Sequence, residues 1–172
     1  MIYTGSRVLC FLIEPMNMRL DFFLFETNIT CRKMTLLLCS KDFETIVSHC
    51  KEEEPIEACG VIAGQIRDCD GKIVKEVLRI YLCKNEFNSP IEYKIGAEEQ
   101  LRIFSEINDA CLDLLGFFHS HPKTSVNPSK IDEKRANYVG YSYLILSLHP
   151  LNISSWILEQ QGFFIKEELD II

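Results

Sequence analysis

A single mixed α/β domain is predicted by three features of this 172-residue chain. Two strand-like runs in mid-chain are joined by an Asp-Gly reversal, one amphipathic helical stretch covers 97–115, and three further strand-like runs are crowded in after residue 140. Helices placed before and within a run of hairpin-connected strands favour a mixed layer over a regular βαβ winding. At this length one core buries roughly two thirds of the surface that the unfolded chain exposes, so one domain suffices.

The elements are read in order. Residues 1–33 mix apolar and polar residues without a clean period, and are taken as an N-terminal extension, native or the product of a misassigned start. The domain proper runs over 34–172. "TLLLCS" reads as a strand. "SKDFETIVSHCKEEE" then places Phe43, Ile46, Val47 and Cys50 at helical spacing behind a Ser40 N-cap, and Pro55 stops that helix. "ACGVIAGQIR" and "GKIVKEVLRIYLC", separated by "DCDG", form a hairpin because Asp-Gly suits a tight reversal. "IEYKI" follows the turn-rich "NEFNSP" as a short strand. In the helix over 97–115, Leu101, Phe104, Ile107, Cys111 and Leu114 make the apolar stripe that packs on the sheet. "LLGFFHSH" is a strand entering the core and "SKIDEKRANYV" a short helix. "YSYLILSL", "SSWILEQ" and "FFIKEELDII" are the last three strands.

Composition excludes several classes of function. Hydrophobic residues at 47% and charged residues at 25% are ordinary for a folded domain, with no low-complexity tract. A net charge of −7 and a pI near 5.1, without a basic cluster carrying aromatics, argue against a nucleic-acid partner. No apolar stretch approaches the ~20 residues of a membrane span. The opening "MIYTGSRVLCFLIEPM" holds an apolar run too short for a secretory signal, which leaves a cytoplasmic protein as the expectation. The eight cysteines stand without any C-x₂-C pair, so they read as buried thiols rather than as a disulfide framework or a cysteine zinc site.

Chemistry concentrates in "GFFHSHPKTSVNPSKIDEKRA", residues 116–136. Strand alternation turns His119 and His121 to one side and Ser120 to the other. Two imidazoles need only one more group, such as the carboxylate of Asp132, to make a three-ligand zinc site with a position left for water. Ser129 and Asp132 also form a capping box, the serine accepting from the backbone at the third helical position and the aspartate returning the bond. Capping and ligation are compatible, because a helix start holds a side chain rigidly.

The combination H-x-H, seven residues, S-x-x-D, with an acid upstream in "PIEACGVIAG", resembles the JAMM, or MPN+, family of zinc-dependent peptidases and isopeptidases. The likeness runs from about Met34 to the end, through "FNSPIEYKI", "YLILSL" and "FFIKEELDI". It implies a JAMM/MPN-type β-sheet flanked by helices in one compact domain. It also implies one zinc ion per chain held by His119, His121 and Asp132, with Glu57 as general base and acid and the Ser129 hydroxyl as donor to the tetrahedral oxyanion. Only 61 residues separate Glu57 from His119 and 40 follow Asp132, leaving little room for the insertions of the long deubiquitinases. The compact form is more similar to the small prokaryotic branch, which includes sulfur-carrier-protein peptidases of the Mec type and archaeal enzymes that free ubiquitin-like modifiers from lysine.

That branch implies hydrolysis after the C-terminal Gly-Gly of a β-grasp protein, releasing an amino acid such as cysteine or, alternatively, breaking an isopeptide bond. An exposed edge near "NSPIEYKI" is expected to hold the side-chain-free tail by backbone pairing. A non-catalytic MPN-type scaffold is the rival reading, but such relatives usually lack part of the metal set, and nothing is missing here. A structural zinc site would normally be closed by a fourth ligand. Cys59 reads as a packed thiol, His49 and His149 as surface or capping residues, and Trp156 as core. The sequence is silent on oligomeric state.

Overall fold

The computed structural model describes residues 33–172. The reading of residues 1–32 as an appendage lies outside the described residues. The elements are β1 (Met34–Leu38), α1 (Ser40–Glu53), β2 (Cys59–Cys69), β3 (Lys72–Cys83), α2 (Ala97–Asp109), β4 (Asp113–His121), α3 (Lys130–Arg135), β5 (Ser142–Leu148), β6 (Leu151–Leu158) and β7 (Phe164–Ile171). The strands pair in the order β1-β3-β2-β4-β5-β6-β7. Because β1 also lies parallel to β7, Thr35 opposite Glu168, the mixed sheet closes on itself.

The hairpin forms where expected. Cys69 pairs with Lys72 across a two-residue turn in which Asp70 (φ 54°) and Gly71 (φ 83°) are both left-handed, the conformation that glycine and aspartate tolerate best. Strand alternation then divides the core. Ile62, Phe118, Leu144 and Leu146 face α1 with its Ile46, Val47 and Cys50. Val61, Phe117, Tyr143 and Leu158 face the other way, toward Ile103 and Ile107 of α2. Gly60 lets β2 and β4 approach, since a Cβ there would stand 2.2 Å from the Phe118 ring.

Three local expectations are corrected. Cys39, not Ser40, precedes α1 as its cap; Ser40 is helical, and its hydroxyl donates to the carbonyl of Ile172. The second helix ends at Asp109, and its buried residues are Ile103 and Ile107, whereas Leu101 and Cys111 are exposed and Leu114 belongs to β4. A left-handed Cys111 (φ 54°) breaks the helical period between them. "IEYKI" is not a strand. Two of its backbone bonds go to the side chain of Asn85, whose Oδ1 accepts from Lys94 N and whose Nδ2 donates to Glu92 O, and others go to Glu86, Ser89 and Gln100.

Candidate metal centre

His119 and His121 close β4 on the face that carries Phe117, and both are buried. Asp132 sits in the first turn of α3, where the capping box forms as the spacing suggested. Ser129 Oγ accepts from Asp132 N at 3.1 Å, and Asp132 Oδ2 accepts from Ser129 N at 2.6 Å. The fold brings the three side chains together. His119 Nε2 is 3.0 Å from His121 Nε2, and each histidine is 3.3 Å from an Asp132 oxygen.

These separations fit a cation. Zinc bonds of ~2.0–2.1 Å in a tetrahedron set ligand atoms ~3.3–3.4 Å apart. His121 Nδ1 lies 2.6 Å from the carbonyl of Ser125, to which only an N–H can bond, so the neutral ring turns its Nε2 lone pair into the cluster. Burial lowers the pKa of His119, with Asp132 opposing it. At His121 the same desolvation is outweighed by Asp132 and the Ser125 carbonyl, and the net direction is upward. Asp132 also pays a desolvation cost, but the bonds from both histidines and Ser129 hold its carboxyl well below the usual range. Among the described residues no lysine or arginine pairs with it.

Glu57 stands two residues before β2, and only 3% of its surface is exposed. Its Oε2 is buried without a hydrogen-bond partner. Burial pushes its pKa up to about 8, eased by His121 and reinforced by Asp132 and Glu92. Extending the β2–β4 register, in which Cys59 stands opposite His119, sets Glu57 across from His121, and a nearby dication would favour its ionised form.

Four residues around the cluster make contacts that were not read from the sequence, although Ser120 faces away from the histidines as expected. Ser120, between the histidines, is buried on the opposite face; its Oγ accepts from Ala58 N, and its own N–H donates to Ala58 O. The ring of Tyr93 stacks on His119 at 4.6 Å. Asn85 donates to the carbonyl of Glu57 itself. Trp156, expected in the core, is half-buried, and its Nε1 donates to Val126 in the loop from His121 to Ser129. The serine's face was set by strand alternation within H-x-H; a turn-rich stretch hides what Asn85 bonds. Beside Asp132 opens a cavity of about 310 Å³ walled by Tyr93, Phe117, Tyr138 and Tyr143. The Arg135–Glu92 ion pair, 2.6 Å, ties α3 to the 85–95 loop at its rim.

The other candidates lie outside the His119–His121–Asp132 group, although Cys59 stands opposite His119 across β2 and β4. Cys59 is fully buried and burial drives its thiol pKa up, the behaviour of a packed thiol. His149 pairs on the surface with Glu54, and His49 lies edge-on to Phe118. No helix of the described residues is long and apolar enough to cross a membrane.

A family described as prokaryotic homologues of the JAB domain matches residues 40–159, a span that contains Glu57, His119, His121, Ser129 and Asp132. The chain is 35% identical over 124 residues to a desampylase of Haloferax volcanii, covering 69% of this chain and 84% of that one. It is 32% identical over 102 residues to the CysO-cysteine peptidase of Mycobacterium tuberculosis, covering 59% and 66%. A Desulfitobacterium hafniense protein solved in solution is similar with a TM-score of 0.69 at 32% identity, over 81% of this chain and 92% of that one.

Proposed function

This chain belongs to the family of prokaryotic homologues of the JAB domain, and from that premise we propose that it is a zinc-dependent peptidase hydrolysing the bond after the C-terminal Gly-Gly of a ubiquitin-like or sulfur-carrier protein. The observation that carries the proposal is the convergence of His119, His121 and Asp132 in a buried cluster, with Glu57, whose carboxylate has a buried oxygen without a hydrogen-bond partner, across from His121. The catalytic unit in this reading is residues 34–172, and the setting is cytoplasmic. The six described cysteines are all free thiols, as a reducing compartment would keep them.

His119, His121 and Asp132 would hold one zinc ion. Bound there, it would supply Lewis acidity, lowering the pKa of water from 15.7 toward about 7 and polarising the scissile carbonyl. Glu57 takes the proton of the attacking water on a carboxylate oxygen and returns it to the leaving nitrogen, so that water is added across the C–N bond. Ser129 accepts from Asp132 N through a lone pair, which leaves its O–H free to donate to the oxyanion. Removal of such a donor typically costs about 2.7–4 kcal/mol in the transition state.

Two leaving groups suit this chemistry. Release of cysteine from a carrier follows the name of one relative. Cleavage of an isopeptide bond to lysine is the alternative, favoured by the greater coverage of the desampylase relative. The deciding experiment incubates the purified protein with carriers bearing a C-terminal cysteine or a lysine-linked adduct and weighs the products by mass spectrometry. A cut after Gly-Gly in one adduct only decides the branch. No cut in any carrier, with zinc bound, sinks the peptidase reading.

A further inference from the structure

Glu57 is held by its backbone and not by its carboxylate. Its N–H donates to Ser89 O at 2.9 Å, and its carbonyl accepts from Asn85 Nδ2 at 3.0 Å. On the next residue, Ala58 exchanges two hydrogen bonds with Ser120 of β4. The side chain, by contrast, has a buried oxygen with no partner. Where the carboxylate points is therefore set by how its main chain is gripped.

Asn85 forms half of that grip and organises the other half. It is 4% exposed. Its Nδ2 donates to Glu57 O and Glu92 O, both at 3.0 Å, with Ser89 O at 3.5 Å. Its Oδ1 accepts from Phe87 N and Lys94 N, both at 3.1 Å. Two donors and two lone pairs are all that a carboxamide has, and all are used. These bonds shape the 85–94 loop so that Ser89 meets Glu57, Tyr93 lies on His119 and Glu92 reaches Arg135 of α3. Aspartate could not replace it, since its second oxygen would face three carbonyl oxygens where the amide now donates.

We propose that Asn85 is a positioning residue of the active site, which acts through the backbone of Glu57 to aim the carboxylate at the His119–His121–Asp132 cluster. The inference rests on the peptidase reading for its role in turnover, but not for the grip itself. The test is Asn85→Asp in the full, zinc-loaded chain with the carrier substrate that the unaltered protein cleaves. A displacement of about 1 Å can cost 10²-fold in rate, so kcat should fall by about 10²-fold. KM should stay within about threefold, and zinc should remain near one equivalent. In a Glu57→Gln background the same change should alter the residual single-turnover rate less than about twofold, because residues acting as one unit are not additive.

Unchanged kcat overturns the inference. So does an equal loss in the Glu57→Gln background, loss of zinc, or a raised KM with kcat intact, which would make the loop a substrate grip. Should Asn85→Asp fail to fold, Asn85→Ser, which leaves a donor and room for water, is read by the same criteria. If the unaltered chain cleaves no carrier, the peptidase reading fails alone, and hydrogen exchange at the Glu57 amide still decides this one. Asn85→Asp must speed that exchange, and unaltered protection refutes the grip.

Discussion

The barrel contains two buried polar clusters that solve one electrostatic problem differently. In the first, Lys75 Nζ of β3 lies 3.1 Å from Glu167 Oε1 of β7 and donates to Ser142 Oγ of β5 at 2.9 Å and Gly140 O at 3.3 Å. Ser155 of β6 donates to the second Glu167 oxygen at 2.5 Å. The Lys75–Glu167 contact is an ion pair without hydrogen-bond alignment, since Glu167 Oε1 counts no such partner. In the second cluster Glu57 and Asp132 are also buried, but among the described residues no lysine or arginine pairs with either, and histidines face Asp132. Burying an uncompensated charge is costly. The chain supplies its own cation where the job is to lock four strands together, and leaves that place to an external one where chemistry is expected.

The largest predicted effect separates the two clusters outright. A strong chelator should abolish turnover, and restoring zinc at about 1,000 times its Kd should raise the unfolding free energy by about 4 kcal/mol in denaturant melts. Hydrolysis that survives chelation would erase the distinction. Next, Glu57→Gln should lower kcat by about 10²–10⁴-fold while bound zinc stays near one equivalent; metal loss on elemental analysis would make Glu57 a ligand. Third, Lys75→Met strands Glu167 and should cost about 3–5 kcal/mol in urea melts, with turnover per folded molecule unchanged. The paired Lys75→Met, Glu167→Leu chain should regain most of that loss, and failure to do so would assign Lys75 more than charge balance.

Two smaller effects sharpen the picture. In metal-free protein the Glu57 carboxyl, raised to about 8, keeps a proton that the unfolded chain releases near its ordinary value of 4.5. Its contribution to stability is complete below that ordinary value and is lost as pH rises through about 8. Glu57→Gln, neutral at every pH, should therefore match the unaltered chain most closely below that window and become progressively the more stable of the two across it, and a flat difference in pH-resolved melts contradicts the burial effect. Finally, Asp132→Asn should weaken zinc binding in a titration and loosen the start of α3 by about 1 kcal/mol. Activity without metal dependence in that variant would remove Asp132 from the ligand set.

The histidine pair was legible because strand alternation is local, and the Asp70–Gly71 hairpin because both turn residues need left-handed φ. The capping box at Ser129 and Asp132 was legible for the same reason. Closure through Thr35 and Glu168 was not, since no pattern in either strand announces a partner so distant in the chain. "IEYKI" alternates like a strand, but alternation reports which side chains are buried and not what the backbone bonds; here it bonds, among other groups, a carboxamide. The stripe of α2 was misphased because Leu101 is exposed and Ile103 faces the core, and apolarity alone does not tell one from the other. The roles of Asn85, Tyr93 and Trp156 are tertiary contacts of single side chains, which no spacing rule encodes.

The chain has one tryptophan, and its indole N–H grips the loop that runs from His121 to Ser129. Emission from Trp156 therefore gives the unlabelled protein a native optical probe of that loop. A spectral change on adding zinc or a Gly-Gly peptide would time ligand arrival in a stopped-flow cell, before any bond is cut.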